Sequence, residues 1–160
     1  MSEKTGIACC LGEYKDFTGV IMWGETEGVV DSATFNLDIE VRSGFKFVTF
    51  HYGVWQNGFW YHGHFVNGTW KNGIWNYGTW ENGSWENGTW EEGFWNDGIW
   101  ENGKHSGGVW CNGIWADGIW DYGFWQDGIW ENGTWKAGSW KEGHDSKNNV
   151  HFNNPENWKK

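Results

Sequence analysis

The sequence predicts an all-β protein whose main body is a β-solenoid built from five-residue W-x-x-G-x units. Glycine recurs at every fifth position from Gly53 to Gly143, and Trp follows two residues later from Trp55 to Trp140 with few exceptions. The chain holds 18 Trp and 26 Gly in 160 residues, a composition that indicates a repeat. A period of five matches neither the 3.6 residues of a helix nor the two of a long strand. Glycine in every unit would also cost a helix about 1 kcal/mol each time.

Each unit divides into a three-residue extended piece and a two-residue corner. Thr79, Trp80 and Glu81 form one such piece, and Asn82 and Gly83 form the corner that follows. Asn-Gly and Asp-Gly pairs favour left-handed backbone conformations, so the chain bends at each one. Within the extended piece the Trp points opposite to both neighbours, which predicts Trp inside and polar residues outside.

With Trp in the large central place and Gly two positions before it, residues 51–145 resemble the pentapeptide-repeat family. The resemblance implies a four-sided, right-handed β-helix, although that family prefers Leu or Phe with Ala. It also implies one role found in the family, that of an acidic DNA mimic. The five-residue Trp and Gly tracts look similar, too, to tracts in uncharacterised proteins of tailed phages, which implies a virion or tail component.

The size of one coil is predicted from three breaks in the Trp series. Phe65, His105 and Asp145 take the central place at intervals of eight units. A coil of four units, roughly 20 residues, puts all three on one side, whereas three units per turn scatter them. A two-unit coil would stack Glu81, Glu91 and Glu101 at about 4.8 Å, which like-charge repulsion disfavours. We therefore predict about four units per turn.

The central Trp residues are the predicted structural core. Burying one Trp is worth roughly 5 kcal/mol, but ordering five residues costs about 7.5 kcal/mol, so only stacked coils are stable. The predicted core comprises Trp55, Trp60, Trp70, Trp75, Trp80, Trp85, Trp90, Trp95, Trp100, Trp110, Trp115, Trp120, Trp125, Trp130, Trp135 and Trp140.

Two segments flank the array. Residues 1–50 are predicted to form an N-terminal β cap, because residues 34–41 alternate apolar and polar side chains as a half-buried strand does. A turn at residues 42–44 leads to a partner strand at 45–52. Residues 146–160 lose the repeat and are predicted to be a short second cap or a frayed tail, with Val150, Phe152 and Trp158 favouring the cap.

Charge and cysteine content restrict the classes of partner. The net charge of -10 predicts repulsion from nucleic acid and anionic membranes. We find neither a secretory leader nor a membrane-spanning apolar stretch, so we expect a virion or cytoplasmic protein without membrane insertion. Cys9 and Cys10 are adjacent and form no disulfide framework, which predicts idle thiols in a reducing compartment.

The residues that carry chemistry elsewhere show no converging pattern here. His62, His64, His105 and His144 are spread over several turns, which favours surface histidines over a metal site. His105 stands at a core position and needs a hydrogen-bond partner; Lys104 and Ser106 beside it indicate a kink or loop rather than a site. Cys111 should have carboxylates on both sides, which disfavours a thiolate. We therefore expect a non-enzyme that holds neither cofactor nor metal.

The outward residues suggest three roles. Isoleucines outside the core are a predicted packing surface for protein partners, as a homo-oligomer or within a larger assembly; they are Ile99, Ile114, Ile119 and Ile129. Exposed Trp rows would instead indicate a carbohydrate-binding module or adhesin. Glu81, Glu101 and Asp121 would form one acidic row on a four-sided coil, as a DNA mimic requires. We expect the first role, a rigid spacer or docking element.

Overall fold

A computed structural model of the chain describes residues 4–8, 12–23, 26–42 and 45–158. Cys9 and Cys10 lie outside these residues. Within these ranges the regular structure is β-strand apart from one 3-10 helix, and the strands of the array stack as parallel coils. The predicted all-β class and the β-solenoid are therefore confirmed. No helix among the described residues is long and apolar enough to cross a membrane.

Long strands come first and very short ones follow. The long strands are β1 (Lys4–Ala8), β2 (Gly12–Trp23), β3 (Thr26–Arg42) and β4 (Phe45–Trp60). The two-residue strands of the array are β5 (His64–Phe65), β6 (Thr69–Trp70), β7 (Ile74–Trp75), β8 (Thr79–Trp80), β9 (Ser84–Trp85), β10 (Thr89–Trp90), β11 (Phe94–Trp95), β12 (Ile99–Trp100), β13 (Lys104–His105), β14 (Val109–Trp110), β15 (Ile114–Trp115), β16 (Ile119–Trp120), β17 (Phe124–Trp125), β18 (Ile129–Trp130), β19 (Thr134–Trp135) and β20 (Ser139–Trp140). The chain ends with β21 (Gly143–Asp145), β22 (Val150–His151) and a 3-10 helix at Pro155–Asn157.

One coil of the solenoid contains three five-residue units. Strand β8 pairs in parallel with β11, three strands later, with Trp80 beside Trp95, and β12 pairs in the same way with β15. The solenoid makes about six turns, each rising by roughly 4.8 Å.

The coil therefore has three sides, which we name by their central residues. The first side holds Phe50, Phe65, Trp80, Trp95, Trp110, Trp125 and Trp140. The second side holds Trp55, Trp70, Trp85, Trp100, Trp115, Trp130 and Asp145. The third side holds Trp60, Trp75, Trp90, His105, Trp120 and Trp135.

The predicted coil of four units is wrong. Phe65, His105 and Asp145 occupy three different sides, so their spacing of eight units does not report the size of the coil. These three residues need not share a side, because the column of central residues on each side accommodates a side chain smaller than Trp. Phe65, for example, stacks on Phe50 and Trp80 at centroid distances of 4.2 and 4.1 Å.

The packing of the indoles explains why three sides suffice. Within a coil the rings meet edge to face, as Trp95 and Trp100 do at a centroid distance of 5.7 Å and an interplanar angle of 73°. Trp90, on the third side, also contacts Trp95 edge to face at 5.9 Å. Rings from all three sides thus touch around one axis, and a fourth side would draw them apart and open a void.

The corners are closed by glycine. Gly83 has a φ of 125°, in a region that side-chain-bearing residues rarely adopt. A Cβ atom on Gly83 would overlap the carbonyl oxygen of Gly68 one coil away. Asn82 accepts a hydrogen bond from the Gly83 N–H through its Oδ1 at 2.7 Å, which explains the Asn-Gly corners.

Backbone hydrogen bonds join each coil to the next. Ile99 N–H donates to the Gly83 carbonyl at 2.9 Å, and Glu101 N–H donates to the Trp85 carbonyl at 2.7 Å. The pattern repeats along the array, so every unit depends on its neighbouring coil, as in other solenoids.

The N-terminal strands lead directly into the first coil. Strands β3 and β4 pair antiparallel, with Arg42 beside Phe45, which confirms the predicted pair of strands. Strand β4 continues into the array, where Phe50 pairs in parallel with Phe65. The coils therefore begin just before residue 51. The division into a cap of residues 1–50, an array of 51–145 and a tail of 146–160 stays a prediction.

Candidate functional site

The sixteen predicted core Trp residues line the interior. Those from Trp55 to Trp125 in the series are fully buried, Trp130 and Trp135 are 3% and 4% exposed, and Trp140 is partly buried. The array therefore offers no row of exposed indoles. The core indoles provide no stacking platform for a sugar or a base on the sides of the solenoid.

Most core indole nitrogens lack a hydrogen-bond acceptor. Trp90 Nε1 donates to the Gly107 carbonyl and Trp140 Nε1 to the His151 carbonyl, each at 3.1 Å. Buried indole nitrogens without an acceptor among the described residues belong to Trp70, Trp75, Trp80, Trp85, Trp95, Trp100, Trp110, Trp115, Trp120 and Trp125. A buried N–H group without an acceptor costs about 1–3 kcal/mol, so the burial and stacking of the rings must offset that cost.

His105 replaces an indole inside the third stack. It is fully buried, stacks on Trp120 at 4.0 Å and lies 6.0 Å from Trp90. Its Nδ1 donates to the Tyr122 carbonyl at 3.3 Å, while Nε2 has no partner among the described residues. Burial lowers the pKa of His105 to about 3, so the ring is neutral. The expected kink is absent, since β13 pairs regularly with β10 and β16.

The remaining candidate metal ligands stay apart. Nowhere in the described part of the chain do three His, Cys, Asp or Glu side chains form a group that could hold a metal ion. His64 Nε2 lies 2.8 Å from Glu81 Oε1, and His144 Nδ1 lies 3.8 Å from Asp127 Oδ1. His62 sits at a corner, where burial lowers its pKa.

Cys111 lies on the first side and not between carboxylates. Glu91 and Glu131 were its expected neighbours, but the three-unit coil places it between Asn96 and Gln126. Burial raises the pKa of the Cys111 thiol, and the charge of Glu81 raises it further. The thiol form is therefore favoured, for a reason that differs from the expected one.

The predicted acidic row does not exist. Glu81 follows the first side, Glu101 the second and Asp121 the third, because the coil contains three units and not four. Each is engaged locally. Glu81 accepts from Asn96 Nδ2 at 3.0 Å and Glu101 from Ser84 Oγ at 3.1 Å. Asp121 lies 3.2 and 3.0 Å from the Nζ atoms of Lys104 and Lys136, and their hydrogen bonds lower its pKa.

The predicted isoleucine surface is split between two sides. Ile99, Ile114 and Ile129 lie beside one another on three successive coils of the second side. Ile119 belongs to the third side, between Lys104 and Thr134. The second side thus carries a continuous apolar stripe of three residues, and Ile119 is separate from it.

The chain after the last coil folds back over the end of the stack. The Asp145 carboxylate accepts from the backbone N–H groups of Lys147 and Asn149, both at 2.9 Å, and lies 3.1 Å from His151 Nε2. The side-chain amide of Asn149 also donates to this carboxylate at 2.8 Å, and this bond, together with those from the Asn149 backbone and His151, holds the pKa of Asp145 well below its usual range. Trp158 meets Trp140 edge to face at 5.3 Å.

A cleft of about 430 Å³ lies between this tail and the last coil. It is lined by Trp130, Glu131, Asn132, Gly133, Thr134, Trp135, Pro155, Glu156 and Trp158. Three indoles and several hydrogen-bonding side chains meet there, on a part of the molecule for which the sequence predicted only a cap or tail.

Two further features escaped the sequence-based prediction. Phe50 is a fully buried central residue, although it precedes the predicted array. Phe94, Val109 and Phe124 form an outward apolar ladder on the first side. In the sequence these three residues lie three units apart, and this spacing is the signal that aligns them.

We classify this protein by its fold, because the comparisons with known proteins found no match. No protein-family model matches the chain, and neither a curated protein nor a solved structure matches it. The molecule is a three-sided β-solenoid with five-residue sides and an aromatic core. Its five-residue unit is compatible with a pentapeptide-repeat-like architecture, whereas its three sides depart from the four that the resemblance implies.

Proposed function

We propose that this chain is a non-enzymatic structural and interaction protein, a rigid spacer or docking element in a larger assembly. The observation that carries the proposal is the burial of the central aromatic residues along the array. Side chains that elsewhere bind ligands are used here to fill the interior. What the molecule presents outward is three flat faces with regular ladders of side chains, a surface suited to protein contacts.

The assembly we propose is a phage virion or tail. The proposal rests on the similarity of the Trp and Gly tracts to those of tailed-phage proteins. A rigid prism about 29 Å long, from six coils of roughly 4.8 Å, suits a spacer between larger components.

Copurification tests this role. Virions would be prepared from cells that carry the gene, and the chain would be quantified by mass spectrometry in purified particles and in the free lysate. We expect a fixed number of copies per particle, retained at high salt. A chain found only in the free fraction, with no stoichiometric protein partner after crosslinking, would contradict the proposal.

A second candidate function is carbohydrate binding at the C-terminal cleft. The specific observation is the meeting of Trp158, which is only partly buried, with Glu131 and Glu156 around a cleft of about 430 Å³. A glycan array followed by titration would test it, with Trp158→Ala as the variant and Tyr77→Ala on a distant corner as the control. Binding that survives Trp158→Ala would exclude this cleft.

A further inference from the structure

The first side carries two outward ladders over five successive coils. One ladder reads Thr79, Phe94, Val109, Phe124, Ser139, and the other reads Glu81, Asn96, Cys111, Gln126, Lys141. Phe94 and Phe124 are 46% and 38% exposed. The three middle coils hold no charged side chain in either ladder, whereas in the corresponding coils the second side carries Glu101 and Glu131 and the third side carries Asp121.

Both ladders are nearly symmetric about their middle coil. Moving outward from Val109, the first ladder meets a Phe in each direction and then a small hydroxyl residue. Moving outward from Cys111, the second meets an amide in each direction and then opposite charges, Glu81 at one end and Lys141 at the other.

We propose that the first side binds a second copy of this chain in an isologous dimer, with the two-fold axis running along strand β14. This inference rests on the proposed function as an interaction protein and names one partner. The axis reverses the direction of the second solenoid. Phe94 then faces Phe124 of the second copy, Asn96 faces Gln126, and Glu81 faces Lys141 at both ends.

Charge complementarity selects this arrangement. A chain of net charge -10 repels its copy wherever carboxylates meet. A two-fold axis parallel to the solenoid would instead set the Phe ladder against the amide ladder and leave Glu81 without a cation. Only the reversed arrangement pairs apolar with apolar residues and unlike charges at both ends.

The two charged residues at the ends of the second ladder, Glu81 and Lys141, are exposed enough to pair across the proposed interface. The side chains of Glu81 and Lys141 are 41% and 56% exposed. Glu81 already contacts His64 and Asn96, and Lys141 lies 3.4 Å from Glu142, but exposed pairs of this kind are weak. In this arrangement the corner residue Asp97 lies opposite Asp127 of the second copy, but each of these carboxylates accepts from the N–H of the following glycine at its own corner. Glu92, at the preceding corner, lies opposite Tyr122.

The area of the face sets the strength of the dimer. Five coils span about 19 Å, and a five-residue side is about 15 Å wide, so roughly 600 Å² is covered in total. Stable interfaces bury about 1,200–2,000 Å². We therefore expect a weak dimer, with a dissociation constant on the order of 100 µM.

Sedimentation equilibrium of charge variants tests the arrangement, in a chain whose Cys9 and Cys10 are changed to Ser. From about 10 µM to about 1 mM the chain should pass from monomer to dimer. Glu81→Lys and Lys141→Glu should each weaken association about tenfold or more, because like charges then meet at both ends. The double variant should restore it. Glu86→Lys, on the second side, is the control with the same change in net charge and should not weaken association.

Crosslinking gives a second readout of the geometry. A short bismaleimide should join two chains through Cys111, which faces itself across the axis, and Cys111→Ser should abolish the product. The inference is overturned if the chain stays monomeric at every concentration, or if the double variant fails to recover. A chain that is monomeric alone but present in virions would overturn the dimer and leave the proposed function intact.

Discussion

Trp100 stacks on Trp115 with ring centroids 4.9 Å apart and ring planes 7° from parallel. Its other face stacks on Trp85 at 4.8 Å. This separation equals the distance of about 4.8 Å between neighbouring strands. Ring stacking and backbone pairing therefore share one repeat, and neither has to be distorted to satisfy the other.

Removing one ring from the middle of a stack should destabilise the whole array. Trp100→Ala deletes a fully buried indole and should lower the free energy of unfolding by about 4 kcal/mol. Trp140→Ala, at the partly buried end of the first stack, should cost less than half as much. Urea unfolding followed by circular dichroism measures both. Equal losses at the two positions would show that the central ring is not packed as described.

Corner glycines should not tolerate a methyl group. Gly83→Ala sets a Cβ against the Gly68 carbonyl oxygen at a φ of 125°, and should lower the free energy of unfolding by about 3 kcal/mol. Gly107→Ala is the comparison variant and should cost clearly less, because its Cβ would make only one tight contact, 3.2 Å from the Glu91 carbonyl oxygen, and no positive φ constrains it. Thermal unfolding of the two variants checks the difference, and a Gly83→Ala chain as stable as wild type would refute the close stacking of corners.

Protonation of His105 should destabilise the fold in acid. The unfolded chain binds this proton below its ordinary pKa of about 6.5, but the folded chain does so only near pH 3. Stability is therefore full above about pH 6.5 and falls as the pH decreases toward 3. His105→Phe removes the titrating group. The free energy of unfolding of this variant, relative to that of wild type, should therefore rise by about 3 kcal/mol between pH 7 and pH 4.

The pH comparison has an internal control. Asp145, whose pKa is lowered in the folded state, loses its contribution as the pH falls through its titration, but it does so equally in both chains. Urea unfolding at several pH values gives the difference directly. A difference independent of pH would mean that His105 reaches solvent.

Asp145 should hold the C-terminal tail in place. Asp145→Ala removes the acceptor for Lys147, Asn149 and His151, so residues 146–158 should exchange amide hydrogens faster while the coils stay protected. Asp117→Ala is the control, since its carboxylate accepts from Gly118 at an ordinary corner. Hydrogen exchange read by mass spectrometry distinguishes the two, and an unchanged tail in Asp145→Ala would contradict this role.

The period of five was enough to predict the architecture from the sequence. Trp inside and Gly at the corners follow from the alternation within three extended residues and from the conformations that Asn-Gly pairs favour. The strand pair β3 and β4 follows equally from alternation and from the turn between the strands, and the two strands do pair antiparallel. These features are determined by residues that lie close together in the sequence, so they could be predicted from it directly.

The number of sides was not predictable by the same reasoning. It depends on how rings from different units fill one cross-section, which the sequence of a single unit does not encode. The alignment of Phe65, His105 and Asp145 pointed to four sides, but each stack tolerates a smaller side chain, on whichever side it falls. The four-unit coil had aligned Glu101 and Asp121 with Glu81 and Ile119 with Ile99, whereas the three-unit coil places the members of each set on different sides. The outward faces were therefore mispredicted, although the core was placed inside.

The three-unit coil is tested most directly by methyl nuclear Overhauser effects between isoleucines. Ile99 and Ile114 lie side by side on adjacent coils, as do Ile114 and Ile129. In a chain labelled at isoleucine methyl groups, both pairs should give cross-peaks. A cross-peak between Ile99 and Ile119, which are four units apart, with none between Ile99 and Ile114, would contradict the three-sided solenoid.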